Sequence, residues 1–217
     1  MAVRKIGINC RSITGRHGHS GQPFESALER DFLDLIAFDL NVERHETQPV
    51  NVYYPGCRGE MVPYRPDVLV IYRRDVLPAR DMPHLLAEIK YRDEYRGRFH
   101  ELRERFCAAR RFAKERGWQF RVFTEREIRT PYLGNARFLR PYREVDSTVA
   151  HEAMILDRLK LLGQTTPANL MALHLDNALE RAKLLPVLWK LIANFRVGAD
   201  LMQKFDMCSP IWPLPNP

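Results

Sequence analysis

Near the middle of the chain, the run Ala87-Glu-Ile-Lys90 sets a carboxylate and an ammonium two positions apart. Side chains alternate along a strand, so Glu88 and Lys90 share one face while Ala87 and Ile89 take the other. Such a pair is unfavourable inside an apolar core, but it suits a place where a metal ion and a phosphate meet. Upstream, Pro66-Asp67 opens a second apolar run, which can set Asp67 beside Glu88 at one end of a hairpin. Two neighbouring carboxylates with no histidine or thiolate nearby form a hard oxygen site suited to Mg²⁺. An ion held there polarises a phosphodiester and lowers the pKa of an attacking water, with Lys90 orienting that water or steadying the developing charge. Glu29, in an acidic helical segment further upstream, is the candidate that completes the shell for a second ion. Each piece has an ordinary explanation: Pro-Asp occurs in many turns, Glu-x-Lys is common on exposed strand faces, and acidic helices are frequent. The weight lies in their succession on consecutive strands, after an acidic helix and before a basic one.

The elements that must position these residues are legible as periodicities. Phe24, Leu28, Phe32, Leu35 and Ile36 repeat as a helix does, with Glu25, Glu29, Asp31 and Asp34 between them, until Phe38-Asp-Leu-Asn breaks the rhythm. Gln48 to Gly56 reads as a short strand ended by a Pro-Gly turn, and Asp67–Tyr72 and Leu85–Tyr91 read as two more, with a loop over 75–83. A basic helix follows from Arg96, Gly117 ends it, and Trp118–Thr124 supplies a fourth strand. Strands paired first as hairpins and then crossed over by a helix make a mixed α/β sheet flanked by helices. Residues 1–22 carry turn formers and charge with little periodicity and are expected to form an N-terminal arm. After a Pro- and Arg-rich stretch the chain turns Leu- and Ala-rich, so the domain division is set at 1–145 and 146–217. The second part fits a small helical or winged-helix-like domain. Thr165-Thr-Pro167 caps one helix, Pro186 is expected in the first turn of a later one, and a small hairpin is possible after Val197. Trp189 and Phe195, near helical spacing, read as core more than as a binding stripe.

Charge points toward a polyanion. The 217 residues carry a formal net charge of +7, and its distribution is uneven. Residues 1–90 hold 12 basic and 12 acidic side chains, 91–150 hold 15 and 9, and 151–217 hold 7 and 6. The excess therefore belongs to the segment around the basic helix, where Phe99, Leu102, Phe106, Ala109 and Ala113 mark one apolar face and arginines cover the others. A helix lying along a phosphate backbone and a solvated helix with interleaved glutamates are equally compatible with that pattern. If it binds DNA, Arg92, Arg96, Arg98, Arg103 and Arg110 are the candidate contacts. No apolar run approaches the roughly 20 residues of a membrane span, and the start lacks the apolar stretch of a secretory signal, so a cytoplasmic location is expected. Cys10, Cys57, Cys107 and Cys208 lie far apart without metal-knuckle spacing and read as reduced thiols. His17 and His19 could form half a metal site, although a Gly-rich loop with two histidines is the simpler account.

Pro66-Asp67 with Glu88-Ile-Lys90 resembles the core of PD-(D/E)xK nucleases. The longer ensemble resembles the TnsA endonuclease subunit of heteromeric, Tn7-like transposases: the loop Ser12-Ile-Thr-Gly-Arg16, the run Glu25-Ser-Ala-Leu-Glu-Arg-Asp-Phe-Leu-Asp-Leu35, Phe38-Asp39 and Gln48-Pro49. The resemblance spans roughly residues 10–130 and is more specific than the nuclease triad alone. It implies a restriction-endonuclease-like domain over 1–145 and a metal-dependent site of Glu29, Asp67, Glu88 and Lys90. The implied metal ligands are Glu29, Asp67, Glu88 and, through its main chain, Ile89, with Mg²⁺ as the ion and Mn²⁺ as its substitute. Where this sequence has Glu88, the founding transposon type carries glutamine, so the local charge differs. Glu25 is the rival to Glu29, and Gln48 is read as structural support. The resemblance further implies a bacterial nuclease that nicks the 5′ ends of a transposon. Its partners would be double-stranded transposon-end DNA, a DDE-type transposase (TnsB-like) that cuts and joins the 3′ ends, and an AAA+ ATPase regulator (TnsC-like) met through the C-terminal domain. A freestanding restriction- or repair-type nuclease and a non-catalytic DNA-binding scaffold are the alternatives.

Overall fold

The computed structural model describes residues 15–18, 21, 23–56, 58–172 and 178–215, in two compact units that divide between Arg129 and Thr130. In the first, β1 (Gly15–Arg16) and β2 (Pro23–Phe24) make a short antiparallel ladder ahead of helix α1 (Ala27–Phe38). Then come β3 (Val42–Thr47), the hairpin β4 (Val52–Pro55) and β5 (Met61–Tyr64), β6 (Val68–Tyr72) and β7 (Leu85–Ile89). Helices α2 (Arg92–Gly97) and α3 (Phe99–Glu115) lead to β8 (Gln119–Phe123) and the short α4 (Glu125–Ile128). The central sheet runs β3-β6-β7-β8; β6 is antiparallel to both β3 and β7, and β7 is parallel to β8. A parallel pair needs a long crossover, and α2 with α3 provides it. This is the expected mixed sheet flanked by helices, consistent with a restriction-endonuclease-like fold.

Alternation along the strands divides the core in two. Val68, Val70, Leu85, Ala87 and Ile89 face Leu28, Phe32, Leu33 and Ile36 of α1. Leu69 and Leu86 face the other way, onto Leu102, Phe106, Ala109 and Ala113 of α3 and onto Val52 and Tyr64 of the hairpin. α1 starts at Ala27 and not at Phe24, because Ser26 is extended and its hydroxyl accepts from the Glu29 N–H. Asp31, expected among the polar positions of this helix, is buried and takes Arg129 Nε at 2.7 Å. At the other end of the crossover, Gly117 takes φ +69° and lets Trp118 N–H close on Ala113 O at 2.8 Å, stopping α3 as expected. The basic helix is in fact two helices, broken at Arg98 after Gly97, and Phe99, as the first residue of α3, is exposed instead of buried.

Besides the short β1/β2 ladder, strands β3 and β5 were not expected. β3, Val42-Glu-Arg-His-Glu-Thr47, is a charged edge strand with no apolar alternation to announce it. β5 contains Pro63, which marks an edge position, and it pairs with β4 outside the central sheet. The strand expected from Gln48 begins only at Val52. Of the arm expected over 1–22, only β1 and its neighbours lie within the described residues.

The second unit holds α5 (Pro131–Leu139), α6 (Val149–Leu162), α7 (Pro167–Ala172), α8 (Ala178–Ala193) and the antiparallel pair β9 (Val197–Ala199) and β10 (Ile211–Pro213). Its start precedes the division expected at 145, because α5 and the 3-10 turn at 140–142 pack against α8. Thr166 Oγ1 caps α7 by accepting from Asn169 N–H at 3.1 Å. Pro186 lies inside α8 and not in its first turn. The helix continues through it because Leu184, Val187, Leu188, Leu191 and Ile192 on either side are all buried, and that packing outweighs the lost hydrogen bond. Trp189 is core, edge-on to Phe138 and Phe205 at 5.6 Å from each, whereas Phe195 is exposed. No helix among the described residues is long and apolar enough to cross a membrane. Cys107 and Cys208 are free thiols, while Cys10 and Cys57 lie outside the described residues.

Asn135 fastens the loop after β9. Its Nδ2 donates to Leu201 O at 2.8 Å and Gln203 O at 2.6 Å, and its Oδ1 accepts from Phe205 N–H at 3.1 Å. Asn135→Ala strands three main-chain groups, two of them buried, and is expected to lower stability by about 2–4 kcal/mol. Urea unfolding of the variant beside the wild type measures this, and a loss within about 0.5 kcal/mol would show that the loop is held otherwise.

Candidate active site

Register and alternation together bring two carboxylates onto one face. Val68 pairs with Ala87 in the antiparallel β6/β7 ladder, so one residue further along Asp67 stands opposite Glu88. Both project to the α3 side, the face that Leu69 and Leu86 occupy. Asp67 Oδ2 accepts from the Ile89 N–H at 2.7 Å, which locks the carboxylate against the end of β7. Glu88 is almost fully buried. Its Oε2 accepts from the Tyr64 hydroxyl at 2.5 Å, and its Oε1 lies 3.1 Å from Lys90 Nζ and 3.8 Å from an Arg105 guanidinium nitrogen. The Lys90 ammonium also reaches Ile89 O at 3.2 Å and Asp67 Oδ2 at 3.8 Å. Three oxygens of three residues thus converge on one cation.

The electrostatics follow from crowding two carboxylates in a partly dry place. Burial, and next the Glu88 carboxylate, push the Asp67 carboxyl well above the ordinary aspartate range, with Lys90 opposing in part. Burial acts to lower the Lys90 pKa, but Asp67 and Glu88 outweigh it and leave it above the usual lysine value. The Tyr64 hydroxyl is raised by burial first and then by Glu88, so it stays a donor. Asp67, Glu88 and the Ile89 carbonyl form an all-oxygen set of the kind that takes a small divalent ion. The Lys90 ammonium stands among those oxygens where such an ion would stand, so the residues fit a hard metal.

Glu29 is placed differently. It sits in the first turn of α1, on the helix that covers the opposite face of the sheet. Its carboxylate accepts from Glu25 N–H at 2.8 Å and from the Ser26 hydroxyl at 3.0 Å, the reciprocal half of a helix cap. Burial raises its pKa, against those hydrogen bonds and the charge of Lys90, and its own charge in turn helps raise Asp67. Among the described residues no group of three or more His, Cys, Asp and Glu side chains is placed to hold a metal. Glu25 accepts from Gln48 Nε2 at 2.9 Å, and Gln48 N–H donates to Asp67 O at 2.8 Å, so Gln48 links the start of α1 to the strand that carries Asp67.

Two family models match this chain in tandem, TnsA-like endonuclease N terminal over residues 39–125 and TnsA endonuclease C terminal over 127–201. The chain belongs to the TnsA endonuclease family. TnsA proteins are the nuclease subunit of Tn7-like transposases, so the family places this chain among nucleases that act on DNA with Tn7-type transposition partners, and nucleases of the PD-(D/E)xK type generally use divalent metals. Asp67, Glu88 and Lys90 fall inside the N-terminal match, while Glu29 precedes it. No curated protein matches the chain.

The arginines singled out as DNA contacts in this TnsA-family chain all lie in or between the crossover helices α2 and α3. Arg96, Arg103 and Arg110 are exposed, as is Arg98, which is engaged with Glu94 at 3.6 Å and Glu101 at 2.9 Å. Arg92 is half-buried at the start of α2, its N–H bonded to Glu125 at 2.9 Å. His17 is buried and bonded to Asp34 at 2.9 Å, which ties the β1 segment to α1, and His19 lies outside the described residues. Two residues beside the carboxylates escaped the sequence reading. Tyr64 belongs to the unrecognised strand β5. Arg105 had a signal: Ala108 is buried and Phe112 packs on the same core, and at three and seven residues beyond Arg105 they place it within the apolar face of α3.

Proposed function

We propose that this TnsA-family chain cuts the 5′ ends of a transposon, with Mg²⁺ held by Asp67, Glu88 and the Ile89 carbonyl. The observation that carries the proposal is the convergence of Asp67 Oδ2, Glu88 Oε1 and Ile89 O on one cation, Lys90 Nζ. Bound there, the ion supplies a Lewis acid for the phosphodiester and acidifies an attacking water. The chain's own residues do the rest. Tyr64 holds one oxygen of Glu88, so the other, Oε1, would be the one to hold the ion. The Ile89 N–H fixes the rotation of Asp67. Lys90 is the positive charge that orients the attacking water and steadies the negative charge developing on the phosphate. Glu29 caps α1 and adds negative potential, a supporting part in place of the second-ion ligand first expected of it.

A DDE-type transposase working at the 3′ ends completes excision, and an AAA+ regulator is met through the C-terminal unit. The near balance of charge in residues 151–217, 7 basic against 6 acidic, favours a protein surface over DNA reading there. Mapping the strand cut by the purified chain on element-end duplex, with and without the partner transposase and with Mg²⁺ or EDTA, tests the reading. Mg²⁺-dependent 5′-end cleavage with the partner present is expected. Cutting of any DNA without a partner would favour a freestanding nuclease, and absence of cutting under every condition would favour a scaffold.

A further inference from the structure

We propose that Arg105 binds the phosphate being cut, as a second catalytic cation beside Lys90; this rests on the nuclease reading and adds a residue to it. Arg105 is on α3, 17 residues along the chain from Glu88, and its guanidinium carbon stands 5.2 Å from the Tyr64 ring centroid and 5.3 Å from that of Phe106. Those two rings fix the guanidinium beside the carboxylates. Its Nε is buried and has no hydrogen-bond partner among the described residues. An unpaired buried donor is unfavourable, and the native fold tolerates it at the edge of the site.

Glu88 does not account for this arginine. Its Oε2 is taken by Tyr64 at 2.5 Å and its Oε1 by Lys90 at 3.1 Å, while Arg105 approaches only to 3.8 Å. A metal ion taking Glu88 Oε1 would loosen even that contact by competing charge. What remains is a planar fork, partly exposed and beyond hydrogen-bond distance of Glu88, next to the reacting centre, which matches a phosphate better than a lysine would. Arg98 gives the contrast within the same crossover, since its guanidinium is met by two exposed glutamates. Arg105 is held by aromatic faces and left with capacity to donate.

Two measurements on the full chain separate phosphate binding from mere support of Glu88. Single-turnover cleavage of element-end duplex, with Mg²⁺ and the partner transposase, is expected to fall about 10²–10³-fold in Arg105→Ala and less in Arg105→Lys, which keeps the charge without the fork. Mn²⁺ affinity of the DNA-free chain, read by calorimetry, is expected to be unchanged or tighter in both variants, because a cation near Glu88 is removed or kept. Thermal melting of the two variants shows that they fold, and Arg105→Lys carries the test if Arg105→Ala does not. If Mn²⁺ binding weakens in step with cleavage, Arg105 only places Glu88 and the proposal is overturned. Cleavage by Arg105→Ala within about threefold of wild type overturns it as well. Inactivity of the wild type under the same conditions instead overturns the nuclease reading on which it rests.

Discussion

Asp67→Asn is expected to lower 5′-end cleavage by at least about 10³-fold while leaving the chain folded. The substitution removes the charge that a divalent ion needs, yet the amide oxygen still accepts from the Ile89 N–H that Asp67 Oδ2 now meets at 2.7 Å. Strand register is therefore kept. Burial, and next crowding by Glu88, already disfavour the ionised form of Asp67, so neutralising it relieves the apoprotein, and its melting temperature should hold or rise. Single-turnover cleavage and thermal melting on one preparation measure both effects. A variant that melts like the wild type and still cuts would remove Asp67 from the chemistry.

Lys90→Ala separates the ammonium from the metal ligands. Cleavage should fall about 10²–10³-fold, because the charge that steadies the phosphate is gone. Metal binding should move in the opposite direction. Lys90 Nζ now sits 3.1 Å from Glu88 Oε1, 3.2 Å from Ile89 O and 3.8 Å from Asp67 Oδ2, so it competes for the oxygens assigned to the ion. Its removal leaves two carboxylates with less compensation, and Mn²⁺ should bind more tightly than to the wild type. Asp67→Asn loses affinity and activity together; Lys90→Ala loses activity alone. Weaker Mn²⁺ binding in Lys90→Ala would mean that the ammonium does not stand where the metal goes.

How much of this was legible before the structure depended on whether a residue acts along its own element or across the fold. The alternation of Leu85 to Ile89 announced which side chains share a face, and β7 keeps it, with Ala87 and Ile89 on α1 and Leu86 toward α3. Pairing Asp67 with Glu88 needed only the inference of a hairpin, and the β6/β7 register bears that out. Ser26 and Glu29 carry a helix-start signature, and the Glu29 carboxylate accepts from Glu25 N–H and the Ser26 hydroxyl. Tyr64 was out of reach, since it reaches Glu88 across 24 residues of chain from a Pro-containing strand. β3 was hidden because edge strands are kept charged, and Val42–Thr47 holds four ionisable residues. Pro186 was misplaced because a local rule about proline was applied to a helix whose tertiary packing overrides it. The division at Arg129 depends on which helix α5 packs against, which composition does not encode.

The central claim is that Asp67, Glu88 and the Ile89 carbonyl hold one divalent ion. Crystals of the full chain soaked in Mn²⁺, with anomalous differences collected at the manganese edge, test it most directly. The account predicts an anomalous peak bonded to Asp67 Oδ2, Glu88 Oε1 and Ile89 O, with Lys90 Nζ displaced from its present position among them. A fully soaked crystal with no peak between these three oxygens, or with its strongest peak elsewhere and Lys90 unmoved, would contradict it.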